Sequence, residues 1–153
     1  MIARGAFVLT SRGVVEPQLE AWALATDGTW HPVQFTIDCG ADTTTLPAQY
    51  IVYLGLDLST MTVRTDIGGV GSSGLPYVEY ATTLRFVVGS EQQDFALTAV
   101  VFINPADLDV PLLGRDILDQ LTLILDRPRD TILLLPGPET YVLVPSANSP
   151  HAA

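Results

Sequence analysis

The sequence predicts an all-β chain, folded as a small closed β-barrel or sandwich with one or two short helices. Three observations carry that prediction. Short apolar and β-branched runs recur at close spacing, turn signals rich in Gly, Pro, Asp and Ser separate them, and only two segments have helix-type boundaries. The 153 residues are most simply one domain, large enough to bury a sizeable core, and 48% hydrophobic content argues against disorder.

Taken in order, Phe7 to Leu9 and Leu19 to Ala25 read as strands, separated by Ser11-Arg12-Gly13 and closed by the turn signal Asp27-Gly28. Residues 1–29 are thus either part of the barrel or a pro-segment. From Val33 to Ile37 the alternation turns Val33, Phe35 and Ile37 inward and delivers Asp38 to a bend made of Cys39, Gly40 and Ala41. Pro47 to Gly55 starts with a proline suited to a first helical turn and ends in a C-cap glycine, which predicts a short helix. Thr60 to Thr65 and Tyr77 to Val88 have strand composition and flank a glycine-rich stretch, Asp66 to Pro76, which predicts a hairpin with a mobile tip. Gly89-Ser90-Glu91 makes the next turn and Phe95 to Ile103 the next strand. A loop through Asn104 to Asp107 leads to Leu112, and Gly114 to Gln120 reads as one or two helical turns. Leu121 to Leu125 and Thr131 to Leu135 pair around Arg127 to Asp130; residues 136–153 hold one more strand, Tyr141 to Val144, and a disordered tail.

Composition excludes several function classes. The formal charge is −10, with seven Arg and no Lys, so no basic stripe is available to neutralise nucleic-acid phosphates. No apolar run approaches the roughly 20 residues of a membrane helix, and the first ten residues are too short in apolar content for a secretory signal. No membrane association and a cytoplasmic location are the default expectation. One cysteine rules out an internal disulfide framework and a multi-thiolate zinc site. His31 and His151 are expected to be bystanders, so serine and cysteine hydrolase chemistry lacks a base. Gly69 to Gly74 satisfies G-x-G-x-x-G, but Pro76 and Val78 follow where a dinucleotide site needs a helix. Asp107, Asp109, Asp126 and Asp130 match no calcium loop and read as solvated loop charge.

The chemistry-bearing stretch is Asp38-Cys39-Gly40-Ala41-Asp42. A carboxylate held on a tight bend among small and apolar neighbours is partly desolvated, and desolvation is one of the ways a carboxyl pKa is moved. Two carboxyls within about 3 Å share a proton and divide acid and base roles. Downstream stands Val110-Pro111-Leu112-Leu113-Gly114-Arg115-Asp116-Ile117-Leu118. In this order the two segments resemble the retropepsin-like, retroviral-type aspartic proteases. That family carries Asp-Thr/Ser-Gly-Ala-Asp/Ser at a strand end and, downstream, an apolar strand, Gly-Arg-Asp/Asn and a short helix. The resemblance covers residues 30–135 and implies the family's barrel.

It further implies that Asp38 is catalytic and that Cys39, Gly40, Ala41 and Asp42 form the active loop, with the Gly40 carbonyl helping to bind peptide. Ile67, Gly68, Gly69, Val70 and Gly71 then form a flap over the substrate. Gly114 and Arg115 give structural support, Arg115 through a charge-assisted pair with Asp42. Asp116 reads as a plain helix-terminus carboxylate. No second Asp-Thr/Ser-Gly exists in the chain, so the partner carboxyl is expected from a second copy, in a symmetric homodimer that cleaves peptide or protein substrates without metal or organic cofactor. Cys39 departs from the family's Thr or Ser, whose hydroxyl hydrogen-bonds across the dimer axis, and a thiol is the weaker donor and acceptor. Taken on its packing alone, Cys39 is a small buried filler. The alternative function is therefore a weak or inactive dimerisation or peptide-binding module of the same fold.

Overall fold

A computed structural model describes residues 1–67 and 74–137. Its first three strands, β1 (Ala3–Leu9), β2 (Val15–Leu24) and β3 (Trp30–Ile37), form an antiparallel meander. The β2–β3 hairpin turns at Asp27-Gly28, where Gly28 takes φ +82° and Asp27 Oδ1 accepts both the amide and the hydroxyl of Thr29. In β3, Val33, Phe35 and Ile37 are buried as the alternation requires, with Val33 opposite Ala21 and Phe35 opposite Leu19 of β2, which are buried too. The first 29 residues therefore contribute strands to the sheet and side chains to its core.

A two-residue strand β4 (Thr45–Leu46) precedes the helix α1 (Gln49–Tyr53), which ends before Gly55 at φ +69°. The strand expected over Thr60 to Thr65 begins only at Arg64. Asp57 side-chain capping of Ser59, at 3.0 Å to its amide and 2.7 Å to its hydroxyl, pulls Leu58–Thr60 into a 3₁₀ turn instead. Then come β5 (Arg64–Ile67), β6 (Leu75–Val88) and β7 (Glu91–Phe102). The β6–β7 hairpin pairs from Tyr77↔Phe102 to Val88↔Glu91 and closes through Gly89-Ser90, with Gly89 at φ +61° as a first turn residue of type II′ requires. Opposite one another in it, Arg85 and Asp94 make a bidentate pair at 2.8 and 2.7 Å, and the guanidinium also lies 3.9 Å from the centre of the Trp30 ring. The Arg85 hydrogen bonds hold the Asp94 carboxyl below its ordinary pKa.

The described residues finish with β8 (Leu112–Leu113), the single helical turn α2 (Arg115–Leu118), β9 (Leu121–Asp126) and β10 (Thr131–Pro136). Asp126 accepts the Arg129 amide within its turn, and Asp130, exposed and at φ +47°, ties that turn to β1 by accepting the Phe7 amide at 2.9 Å. The strand expected over Tyr141 to Val144 lies outside the described residues, as do the expected flap residues Gly68, Gly69, Val70 and Gly71.

The ten strands among the described residues belong to one sheet, ordered β5-β6-β7-β4-β8-β3-β2-β1-β10-β9, with a further β2–β6 pairing. That pairing rests on Trp22↔Arg85 and Ala23↔Leu84, so the ring β6-β7-β4-β8-β3-β2 closes through two residue pairs. The expected all-β architecture is present, as a sheet curled on itself rather than a regular barrel. Its core runs from Leu19, Phe35 and Leu84 through Phe86 and Val101 to Leu113, Ile117 and Leu134. Among the described residues no helix is long and apolar enough to cross a membrane.

Candidate active site

Two short strands position the site: β8, the apolar strand that the resemblance implies before Gly114-Arg115-Asp116, and β4, which was not expected. β8 runs parallel to β3, with Thr36↔Leu112 and Ile37↔Leu113, and β4 runs parallel to β7, with Thr45↔Val100 and Leu46↔Val101. A two-residue strand carries no periodicity, so only the tertiary pairing reveals β4. Together they draw the loop after β3 against the turn before α2.

Asp38 follows the last residue of β3, and its amide donates to the Leu113 carbonyl at 3.1 Å. Its partly buried carboxylate accepts the Gly40 amide at 2.8 Å, while the Ala41 amide donates to the Asp38 carbonyl at 3.2 Å. A Cβ at position 40 would lie 3.1 Å from Asp38 Oδ1, a tight contact to which the carboxylate would have to yield. Cys39 and Gly40 are exposed, which overturns the buried-filler reading of Cys39.

The loop is clamped to α2 by backbone and by one buried threonine. Arg115 and Asp116 amides donate to the Ala41 and Asp42 carbonyls at 2.8 and 3.2 Å. Thr44, 1% exposed, donates its amide to Asp116 at 3.0 Å and its hydroxyl to Asp116 Oδ1 at 2.7 Å. The same hydroxyl accepts the Gly114 amide at 3.1 Å. Asp116 also caps the first turn by accepting the Ile117 amide. The plain helix-terminus reading of Asp116 was incomplete, because the carboxylate joins two segments 72 residues apart. Arg115 Nη1 does reach Asp42 Oδ1, at 3.1 Å, but through one contact, with Asp42 87% exposed. Exposed single-contact pairs contribute at most about 1 kcal/mol.

These geometries give a stability prediction. Thr44→Val strands the Gly114 amide and removes the hydroxyl bond to Asp116, whose carboxylate keeps the backbone amides of residues 44 and 117, and is expected to cost about 2–3 kcal/mol, whereas Arg115→Ala is expected to cost less than about 1 kcal/mol. Urea denaturation midpoints check both, and equal losses would show that the ion pair, not Thr44, holds the loops together.

A cleft of about 440 Å³ opens over this loop. Asp38, Gly40, Ala41 and Asp42 form its floor, Ile67 and Leu75 enter from the paired base of the β5–β6 hairpin, and Phe102, Leu108 and Leu112 form an apolar wall. At that base the Tyr77 hydroxyl donates to Asp66 at 2.6 Å, a bond that lowers the Asp66 pKa and raises that of Tyr77. Thr43, Thr45 and Asp107 complete the lining. Asp107 is a correction: instead of a solvated loop charge it borders the cleft, with Oδ2 buried. His31 sits at the other end of β3 from Asp38, bonded to Thr29 and stacked edge-on to Tyr53, outside the cleft.

Asp38 is thus one partly buried carboxylate on a strand-end loop, locked to a Gly-Arg-Asp turn and bordering the cleft. A family model described as retroviral aspartyl protease matches residues 15–126, from the start of β2 to the end of β9. The chain belongs to the retroviral aspartyl protease family. Among solved structures, this retropepsin-like chain is similar to a retropepsin-like aspartic protease from Rickettsia conorii, at 21% identity and a TM-score of 0.56, over 86% of this chain and 89% of that one. It is also similar to EIAV protease complexed with the inhibitor HBY-793, at 23% identity and a TM-score of 0.40, over 73% and 92%. The first likeness shows a shared fold. No curated protein matches.

Proposed function

We propose that this retropepsin-like chain is a homodimeric aspartic endopeptidase. The observation that carries the reading is the Asp38 carboxylate, fixed by the Gly40 amide on the floor of an apolar cleft. In a symmetric dimer the two Asp38 carboxyls share one proton. The ionised one takes a proton from water as it attacks the peptide carbonyl, and the protonated one polarises that carbonyl and then protonates the leaving nitrogen. Exposure of Cys39 and Gly40 suits a partner copy meeting the loop there. An extended peptide would lie across the Asp38 floor beneath Ile67 and the flap, adding main-chain hydrogen bonds as a strand does at a sheet edge. β5 stands at such an edge of the sheet order.

The test is hydrolysis of a mixed peptide library from about pH 3 to about pH 8, repeated over a dilution series with sedimentation on the same samples. Cleavage per chain is expected to fall on dilution in step with loss of dimer; full activity from a chain that sediments as a monomer would sink the reading.

Cys39 favours a second reading, a peptide-binding or dimerisation module with little hydrolysis, because the cross-axis contact is weakened. The two readings share a prediction. Cys39→Thr restores a hydroxyl and is expected to tighten dimerisation about fivefold to tenfold, near 1 kcal/mol for one hydrogen bond. If Cys39→Thr gains hydrolysis that the wild type lacks, the module reading holds for the natural chain.

A further inference from the structure

Two residues that border the cleft each carry a buried polar atom with no partner among the described residues, Asp107 Oδ2 and Thr45 Oγ1. Thr45 is 8% exposed and borders the cleft. A buried hydroxyl or carboxylate oxygen without a partner is costly, and native proteins rarely leave one unmet without a reason. No described side chain lining the cleft is cationic, while Asp38, Asp42 and Asp107 all border it. The neighbouring Asp109 is matched by Arg12 at 3.2 Å, which Asp107 is not. Asp107 Oδ1 takes only a long bond from Asn104 Nδ2, at 3.3 Å, so turning the carboxyl toward the cleft loses little.

We propose that this cleft selects a cationic side chain, lysine or arginine, on its peptide ligand. The methylene stem lies along Phe102, Leu108 and Leu112, as long basic side chains cover apolar surface, and the charged head meets Asp107 with Thr45 Oγ1 as a further acceptor. The apolar wall accepts the stem of either residue, and the carboxylate discriminates against a neutral isostere by a charge-assisted hydrogen bond. The selected residue sits close to the scissile bond, since Asp107, Thr45 and Asp38 border the same cleft. As a substrate preference this rests on the peptidase reading; as a binding preference it does not.

The test uses matched peptides that differ at one position by lysine against norleucine, or arginine against citrulline, scanned through a sequence recovered from the library. Wild type is expected to prefer the cationic member at one position by about tenfold or more in kcat/KM. Asp107→Asn should bring that ratio within about twofold, Asp107→Glu should restore much of it, and Thr45→Val should lower it in part. A ratio unchanged in Asp107→Asn, or a wild type that prefers the neutral member at every position, overturns the proposal. The same pairs are titrated by fluorescence anisotropy onto wild type and Asp107→Asn. Binding with the cationic ratio but without hydrolysis sinks the peptidase reading and leaves this inference standing. Hydrolysis without the ratio does the reverse, and failure of every peptide either to bind or to be cut overturns both.

Discussion

Asp38→Asn is expected to reduce peptide hydrolysis by about 10³-fold or more while leaving the thermal midpoint close to that of the wild type. The two halves of this prediction come from different atoms of one side chain. In the fold, Asp38 Oδ1 accepts the Gly40 amide at 2.8 Å, and the carbonyl oxygen of asparagine accepts the same bond in the same rotamer. Its backbone contact, the amide to the Leu113 carbonyl, does not involve the side chain. The local structure therefore has no reason to change. Catalysis does, because an amide cannot take a proton from water or share one with a partner carboxyl, and a dimer of such chains has no base at its axis. Parallel steady-state kinetics and differential scanning calorimetry decide the matter. Activity within about tenfold of wild type would remove Asp38 from the chemistry, and a collapse of the thermal midpoint would make its role structural.

The residues that announce the site lie in continuous stretches, which is why they were legible in the sequence. Val33, Phe35 and Ile37 alternate, the bend after them is built of small residues, and Gly114-Arg115-Asp116 stands as one block. The strand order and the lock between the two blocks were not legible, because both depend on pairs far apart in the chain. β4 and β8 are too short to show a period, and their pairing appears only once β3 and β7 offer parallel partners. Thr44 stands in the middle of a plain run of three threonines, and nothing local sets it apart from Thr43 or Thr45. The structure separates all three: Thr44 binds Asp116 and Gly114, while Thr43 and Thr45 line the cleft. Arg115 pairs with Asp42 as expected, and what the sequence does not show is how little the pair holds. Its charge made it the visible partner for Asp42, yet exposure dilutes that pair, and a neutral hydroxyl with backbone amides does more of the holding.

Gly114→Ala is expected to be the most destabilising single-methyl substitution in this clamp, at about 3–5 kcal/mol, with the thermal midpoint lowered by roughly 10–15 °C. The reason is space and not conformation, since Gly114 is extended at φ −91° and ψ 179°, which any residue adopts. A Cβ there would stand 2.4 Å from the Thr43 carbonyl carbon and 2.6 Å from both the Thr43 oxygen and the Thr44 nitrogen. All three are backbone atoms, so no side chain can turn away to make room. Relief requires the loop after β3 and the turn before α2 to part, and parting stretches the Gly114–Thr44, Thr44–Asp116 and Arg115–Ala41 bonds together. Overpacking of this kind costs about 1–3 kcal/mol, and the hydrogen bonds lost with it add about 1 kcal/mol each. Gly13→Ala is the control, because Gly13 has open space around its Cβ position but φ +75°, so its substitution carries only a conformational cost of about 1–2 kcal/mol. The same displacement pulls Leu113 away from the Asp38 amide, so Gly114→Ala should also lose hydrolysis in whatever fraction remains folded. Urea denaturation of the two variants side by side is the measurement. If Gly114→Ala proves no worse than Gly13→Ala, the loops yield easily to one methyl group, and Asp38 is then held by β3 and the Gly40 amide alone.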